Sequence, residues 1–156
     1  MLDALDAQLE PSKTNFIVKL WTQSVKQRKV KRDIVLIPRD NYSTFSIGDS
    51  VYLGLECNHD AYIVLIDEGT SGKQTIIFPN RYDIDNFVHA GITYWFPNPQ
   101  HHFTFEFAGP PGTETIRAIA VHKHVWRNNL SVKDNLTQAT SKNTSEAKCI
   151  IKVIRM

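Results

Sequence analysis

Cysteine is scarce in this chain, with two among 156 residues. Cys57 and Cys149 each fall inside an apolar run, outside any Cys-x-x-Cys or Cys/His cluster, and read as small buried side chains. A single disulfide tying a central strand to the last one is the alternative. Long apolar runs are missing too: nowhere do the ~18 consecutive apolar residues of a membrane-spanning helix occur. Met1 to Glu10 has neither a basic n-region nor an apolar h-region. The expectation is a soluble protein with a cytoplasmic address, or an exported one if a leader was removed. Gly-x-Ser-x-Gly, P-loop and Gly-x-Gly-x-x-Gly motifs are absent, so neither an enzyme nor a cofactor is expected.

Charge of one sign is also in short supply, the formal total being +2. That total hides a split. Residues 1–39 carry 8 Lys/Arg against 4 Asp/Glu, residues 40–109 carry 2 against 9, and residues 110–156 carry 8 against 3. An acidic middle therefore lies between two basic ends. With 42% hydrophobic and 22% charged residues, the chain has the apolar content for a single domain over 1–156 and lacks the bias of disordered, collagen-like or coiled-coil sequences.

What recurs along it is a period of two. Val51, Leu53, Leu55 and Cys57 alternate with Tyr52, Gly54 and Glu56, the pattern of a half-buried strand. Phe103, Phe105 and Phe107 behave alike, as do Ile116, Ala118 and Ala120. Ile34 to Ile37 and Tyr62 to Ile66 are continuous β-branched runs, which suit central strands covered on both faces. Phe16 to Trp21, Gln74 to Phe78, Ile92 to Phe96 and Cys149 to Ile154 complete a set of about nine strands, with turns at Gly48-Asp49, Pro79-Asn80, Ala90-Gly91 and Gly109 to Gly112. The fold class expected is all-β, an antiparallel β-sandwich, immunoglobulin-like in the broad sense, with at most one or two short helices. Leu2, Leu5 and Leu9 can line one such helix. Ser131 followed by Asp134 resembles the cap of another running through Ala139, within a polar loop 131–147. Residues 23–33 read as a basic insertion.

Gly48-Asp49-Ser50-Val51-Tyr52-Leu53 and Asp60-Ala61-Tyr62-Ile63-Val64-Leu65 are followed in order by Ile77-Phe78-Pro79-Asn80, Tyr82 to Asn86, Ala90-Gly91, Pro97, Gly109 to Glu114 and Arg117 to Ala120. Over a core of residues 42–121 this series resembles the bacterial domain-of-unknown-function family 4384. The resemblance implies a compact β domain without an established activity, set beside modules such as caspase-like peptidases and protein kinases or in exported envelope proteins. It implies an accessory role and carries over no catalytic residue.

The site candidates are few. His122 and His124 lie two apart and on one strand face would supply two ligands of a transition metal, with His59, His89, His101 or His102 as further donors. A metal-binding or metal-dependent enzyme domain is the alternative function this pair raises. Asp83 and Asp85, with Asp60, Asp67 and Glu68 in other turns, are oxygen donors that lack the rest of a calcium-loop pattern and read as solvated turn carboxylates. Lys26, Arg28, Lys29, Lys31 and Arg32 form a basic arm suited to phosphates of nucleic acid or an anionic membrane, but without the exposed aromatic ladder of a base-stacking site. Tyr82, Trp95 and Trp126 are the aromatic candidates for contact with another protein, and Trp21 lies opposite the Phe16-Val18-Leu20 face. The function expected is a non-catalytic protein-binding or regulatory accessory module, recognising its partner through a sheet edge or an aromatic surface, with homodimerisation through an edge as a further expectation.

Overall fold

The computed structural model describes residues 16–27, 34–38, 42–98, 100 and 104–155. Eleven strands and one helix occur among them: β1 (Val18–Gln27), β2 (Ile34–Pro38), β3 (Tyr42–Ser46), β4 (Ser50–Cys57), β5 (Ala61–Glu68), β6 (Gln74–Phe78), β7 (Phe87–Val88), β8 (Thr93–Phe96), β9 (Phe105–Glu106), β10 (Gly112–His122), α1 (Val132–Gln138) and β11 (Thr144–Ile154). Two sheets pack face to face as a β-sandwich. One runs in the order β2-β1-β4-β8, with β9 also pairing β4; the other runs β3-β11-β10-β5-β6, with β7 also pairing β5. Every pair is antiparallel except β11 with β3, so the second sheet is mixed.

The alternation in the sequence places the core. Val51, Leu53, Leu55 and Cys57 of β4, with Val18 and Leu20 of β1, face Ile63 and Leu65 of β5, Ile116, Ala118 and Ala120 of β10, and Cys149, Ile151 and Val153 of β11, all buried. Each fully buried Leu or Ile contributes about 1.5–3 kcal/mol relative to exposure. On β5, Val64 and Ile66 of the opposite face are buried as well, as its continuous apolar run predicts. Both cysteines are free thiols in this core, not a disulfide, and Cys149 Sγ lies 3.5 Å from the Leu20 carbonyl oxygen.

Several expectations are corrected. Among the described residues Ile34 to Ile37 form a strand at the edge of their sheet rather than its centre; a short apolar run specifies extension but not which neighbours it acquires. Residues 23–27, read as the start of a basic insertion, continue β1 and pair with β2 from Gln23 opposite Pro38 to Gln27 opposite Ile34. Only 28–33 of that insertion lie outside the described residues, as does the Leu2-Leu5-Leu9 helix. Of the strand expected over Phe103, Phe105 and Phe107, the described part is Phe105–Glu106, Phe107 lies beyond its end, and Phe103 lies outside the described residues. Within the polar loop 131–147 the expected capped helix forms as α1, and the last strand starts at Thr144, ahead of the expected Cys149. Ser131 caps that helix, its Oγ accepting the Asp134 amide at 3.0 Å, and the carboxylate of Asp134 in the first turn suits the positive end of the helix dipole. Buried Asn135 fastens it: its amide nitrogen donates to the carbonyls of Arg127, Leu130 and Ser131, and its Oδ1 accepts the Arg127 amide at 2.8 Å. Asp67 and Glu68 lie in β5, not in a turn. Among the described residues no helix is long and apolar enough to cross a membrane.

Candidate functional site

The segment between β6 and β8 is built by its own polar side chains. Pro79 has no amide to donate and β6 stops before it. Asn80 Oδ1 then accepts the amides of Tyr82 (2.8 Å) and Asp83 (3.0 Å), while its Nδ2 donates to the Ile77 carbonyl at 2.8 Å. Asp85 Oδ1 accepts the Phe87 amide at 3.2 Å. Buried Asn86 locks the segment onto β5, donating from Nδ2 to the Ile63 carbonyl and accepting the Ile63 amide, each at 2.9 Å. At the following turn Gly91 adopts φ 79°, where a Cβ is disfavoured. Asp60 Oδ1 accepts the Ala90 amide at 2.9 Å, and Lys123 Nζ lies 3.4 Å from Asp60 Oδ2. These two contacts, the backbone amide first, hold the Asp60 carboxyl below its usual range.

This ordered segment flanks a recess of about 260 Å³ where the edges of the two sheets meet. Leu55 of β4, Phe78 at the end of β6, Val88 of β7 and Phe96 of β8 are its buried floor, with half-buried Phe87, Tyr94 and Trp95 around them. Asp83, Asp85 and Asn98 supply its polar lining. The Tyr94 hydroxyl oxygen accepts the His89 amide at 2.9 Å, which fixes that ring. At the tip, Tyr82 is 63% and Ile84 76% exposed. The Arg81 guanidinium donates to the Tyr82 hydroxyl at 2.9 Å and lies 5.0 Å from its ring centroid.

Trp95 also belongs to a row across the outer face of the first sheet. Trp21 pairs with Gly54, and Gly54 with Trp95. The two indoles meet edge to face at 5.9 Å, and Trp21 Nε1 donates to Gln23 Oε1 at 3.1 Å. A Cβ at position 54 would overlap the Trp21 ring, so glycine is what lets the indole lie across the middle strand. Trp126 has a different fate. It stacks on Tyr62 at 5.0 Å, and Tyr62 in turn meets Phe87 at 5.1 Å, so this indole covers the outer face of β5 and is half-buried.

Among the described residues the histidines do not group as metal donors. His122 ends β10 and His124 lies in the turn beyond it, their rings stacked at 4.9 Å and 23° rather than converging. The His124 amide donates to His122 Nδ1 at 3.3 Å. His59 and Phe16 pack against His122 at 5.6 Å each. Burial first, then the neighbouring His124, His59 and Lys123, lowers the His122 pKa. Among the described residues no three His, Cys, Asp or Glu side chains group in a metal-binding arrangement. His101 and His102 lie outside the described residues. So do Arg28, Lys29, Lys31 and Arg32 of the basic arm, whereas Lys26 falls within β1, opposite Val35.

A second cleft, of about 220 Å³, went unread in the sequence. It lies between the 69–73 turn and Gly109-Pro110, and its lining includes Asp67, Lys73, Thr75 and Glu114. Asp67 of β5 and Glu114 of β10 face each other there. Desolvation, and then the neighbouring Asp67, push the Glu114 carboxyl up to about 7, and desolvation raises Asp67 as well. Like charges this close favour one shared proton. Asp67 Oδ1 is buried without a hydrogen-bond partner.

Fold and clefts together define a small β-sandwich domain with an aromatic recess where two sheet edges meet. The model of a family described as a domain of unknown function, DUF4384, matches residues 44–123, just over half of the chain, and the chain belongs to that family. No curated protein matches it. The matched segment runs from β3 to the turn after β10. Outside it lie β1, which separates β2 from β4, and β11, which separates β3 from β10. The basic ends of the chain thus provide an inner strand to each sheet.

Proposed function

We propose that this domain is a non-catalytic protein-binding accessory module, whose recognition surface is the aromatic recess beside β8 together with the Tyr82–Ile84 tip. The observation that carries this reading is the recess itself: aromatic residues from three strands converge on a concavity flanked by a loop that its own hydrogen bonds hold in shape. A preformed site of this kind binds without first ordering a flexible segment. The exposed Tyr82 and Ile84 side chains add apolar contact area beside it, and aromatic anchors of this sort dominate protein interfaces.

Capture from the native cell extract tests it, comparing the wild-type chain with Tyr82→Ala and Trp95→Ala. The expected result is loss of the same captured protein in both variants. Tyr82 is largely exposed, so its variant should keep the wild-type melting temperature. Undiminished capture by both variants would refute the assignment of this surface.

A further inference from the structure

The inner face of the second sheet ends on two carboxyls. Ile63 and Leu65 of β5 are buried opposite Ala120 and Ala118 of β10. The period of two puts Asp67 next in the first row, opposite Ile116, and Glu114 at the end of the second, opposite Ile151 of β11. Both rows are apolar until this end of the sandwich, where they turn acidic. The two carboxyls are half-buried and within hydrogen-bonding reach of each other, and Asp67 Oδ1 meets no donor. With both ionised, two like charges occupy one partly desolvated corner, which is unfavourable. A proton shared between them is the donor this corner otherwise lacks.

Two segments close the corner. The 69–73 turn joins β5 to β6 and is held internally, its Gly69 and Gly72 amides donating to the Lys73 and Gly69 carbonyls at 3.0 and 2.9 Å. Residues 109–112 lead into β10, and Gly112 passes so close to Thr70 that a Cβ there would overlap the threonine methyl. The segments thus touch beside the cleft of about 220 Å³ that both carboxyls line. Among the described residues the other charges nearby are few. Lys73 lines the cleft but forms no ion pair with either carboxyl. Glu68 and Arg117 lie on the outer face, as does Lys152, which alternates with buried Ile151 and Val153 of β11. Asp49, in the turn whose Ile47 meets Gly109, accepts the Ser46 amide at 2.8 Å. β6 presents Thr75, and 109–112 carries no charge.

We propose that the Asp67–Glu114 pair is a proton-operated latch between the 69–73 turn and the 109–112 segment. Sharing one proton, the carboxyls hold the two together; without it they repel, and the segments part and admit water to the end of the core. Release falls near neutrality, because the Glu114 carboxyl is pushed up to about 7. A group raised in this way keeps its contribution at lower pH and loses it as pH rises. Such an opening is local and leaves the rest of the sandwich folded.

Hydrogen exchange of the full chain tests the latch, read by mass spectrometry at about pH 6 and about pH 8.5 and corrected for the intrinsic rate at each. Relative to α1, protection of residues 68–75 and 109–115 should fall about tenfold at the higher pH. Glu114→Gln, and separately Asp67→Asn, should keep both segments protected there. Carbon-13 titration of the wild-type protein should show the two carboxyls shifting together, with a step at about 7. Unchanged relative protection in wild type, or a fall of the same size in a folded variant, would overturn the latch. So would two carboxyls titrating independently in the ordinary range, a result that requires neither variant to fold.

Discussion

Replacing Glu114 with glutamine removes one ionisable member of the Asp67–Glu114 pair while keeping its shape and giving Asp67 a permanent amide donor. In the native protein the Glu114 carboxyl is pushed from 4.5 up to about 7, so the folded state holds its proton more tightly than the unfolded chain does. The sign follows from linkage: the stability this group contributes is fully present below about pH 4.5 and is lost as pH rises to about 7, after which the deprotonated pair weighs on the fold by a constant amount. Asp67, also raised, acts in the same direction. The rise at Glu114 corresponds to about 3 kcal/mol for a fully desolvated carboxyl. Both residues are only half-buried and line an open cleft, so solvent screening brings the expected effect to about 1–2 kcal/mol. His122, with its lowered pKa, works in the opposite sense, losing stability as pH falls through its ordinary value of 6.5; it is common to both proteins and cancels in the difference. Chemical denaturation of wild type and Glu114→Gln between pH 4.5 and 8 is the assay. The variant should be more stable by about 1–2 kcal/mol at pH 8, equivalent to roughly 2–8 °C in melting temperature for a chain of this size, and indistinguishable from wild type near pH 4.5. A difference independent of pH, or a less stable variant at pH 8, would refute the shared-proton account.

Two further perturbations probe the packing. Gly54→Ala puts a methyl group into the Trp21 ring and should cost about 1–3 kcal/mol by overpacking, read as a lower denaturant midpoint with altered tryptophan emission; an unchanged midpoint would mean the indole is not held against the strand. Cys149, fully buried with its thiol pushed up to about 12, should alkylate with iodoacetamide at pH 8 on the order of a thousandfold more slowly than in denaturant, since the thiolate is the nucleophile. Rapid labelling of the folded protein, or a non-reduced mass showing a Cys57–Cys149 disulfide, would contradict the buried free thiols.

How far the sequence could be read depended on the range of the interaction involved. The alternation of Val51, Leu53, Leu55 and Cys57 required no knowledge of partners, because a strand facing any core reads the same way, and all four are buried. The Ser131 cap was equally local, its oxygen and the Asp134 amide being three residues apart. β3 escaped notice: Tyr42–Ser46 carries little apolar pattern and is held by parallel pairing with β11 at the far end of the chain. Trp126 offered no sign of whether it would contact a partner or cover Tyr62. His122 and His124 have the spacing for a shared face, but the strand ends between them and their rings stack. Asp83 and Asp85 were legible as turn carboxylates, yet nothing local showed that Leu55, Phe78, Tyr94 and Phe96 would converge beside them.

The sequence by itself determined a β domain of one family, its main strands, the turn glycines and the short capped helix, since these depend on side-chain alternation and on hydrogen bonds between near neighbours. Only the tertiary structure decided that Ile34–Pro38 lies at an edge, that the basic ends of the chain contribute inner strands, that Asp67 meets Glu114, and that an aromatic, acid-lined recess opens beside β8. Each of these depends on which strands lie side by side. A period of two specifies the face a residue presents but leaves its neighbour open, and pairing between distant segments is settled by the packing of the whole sandwich.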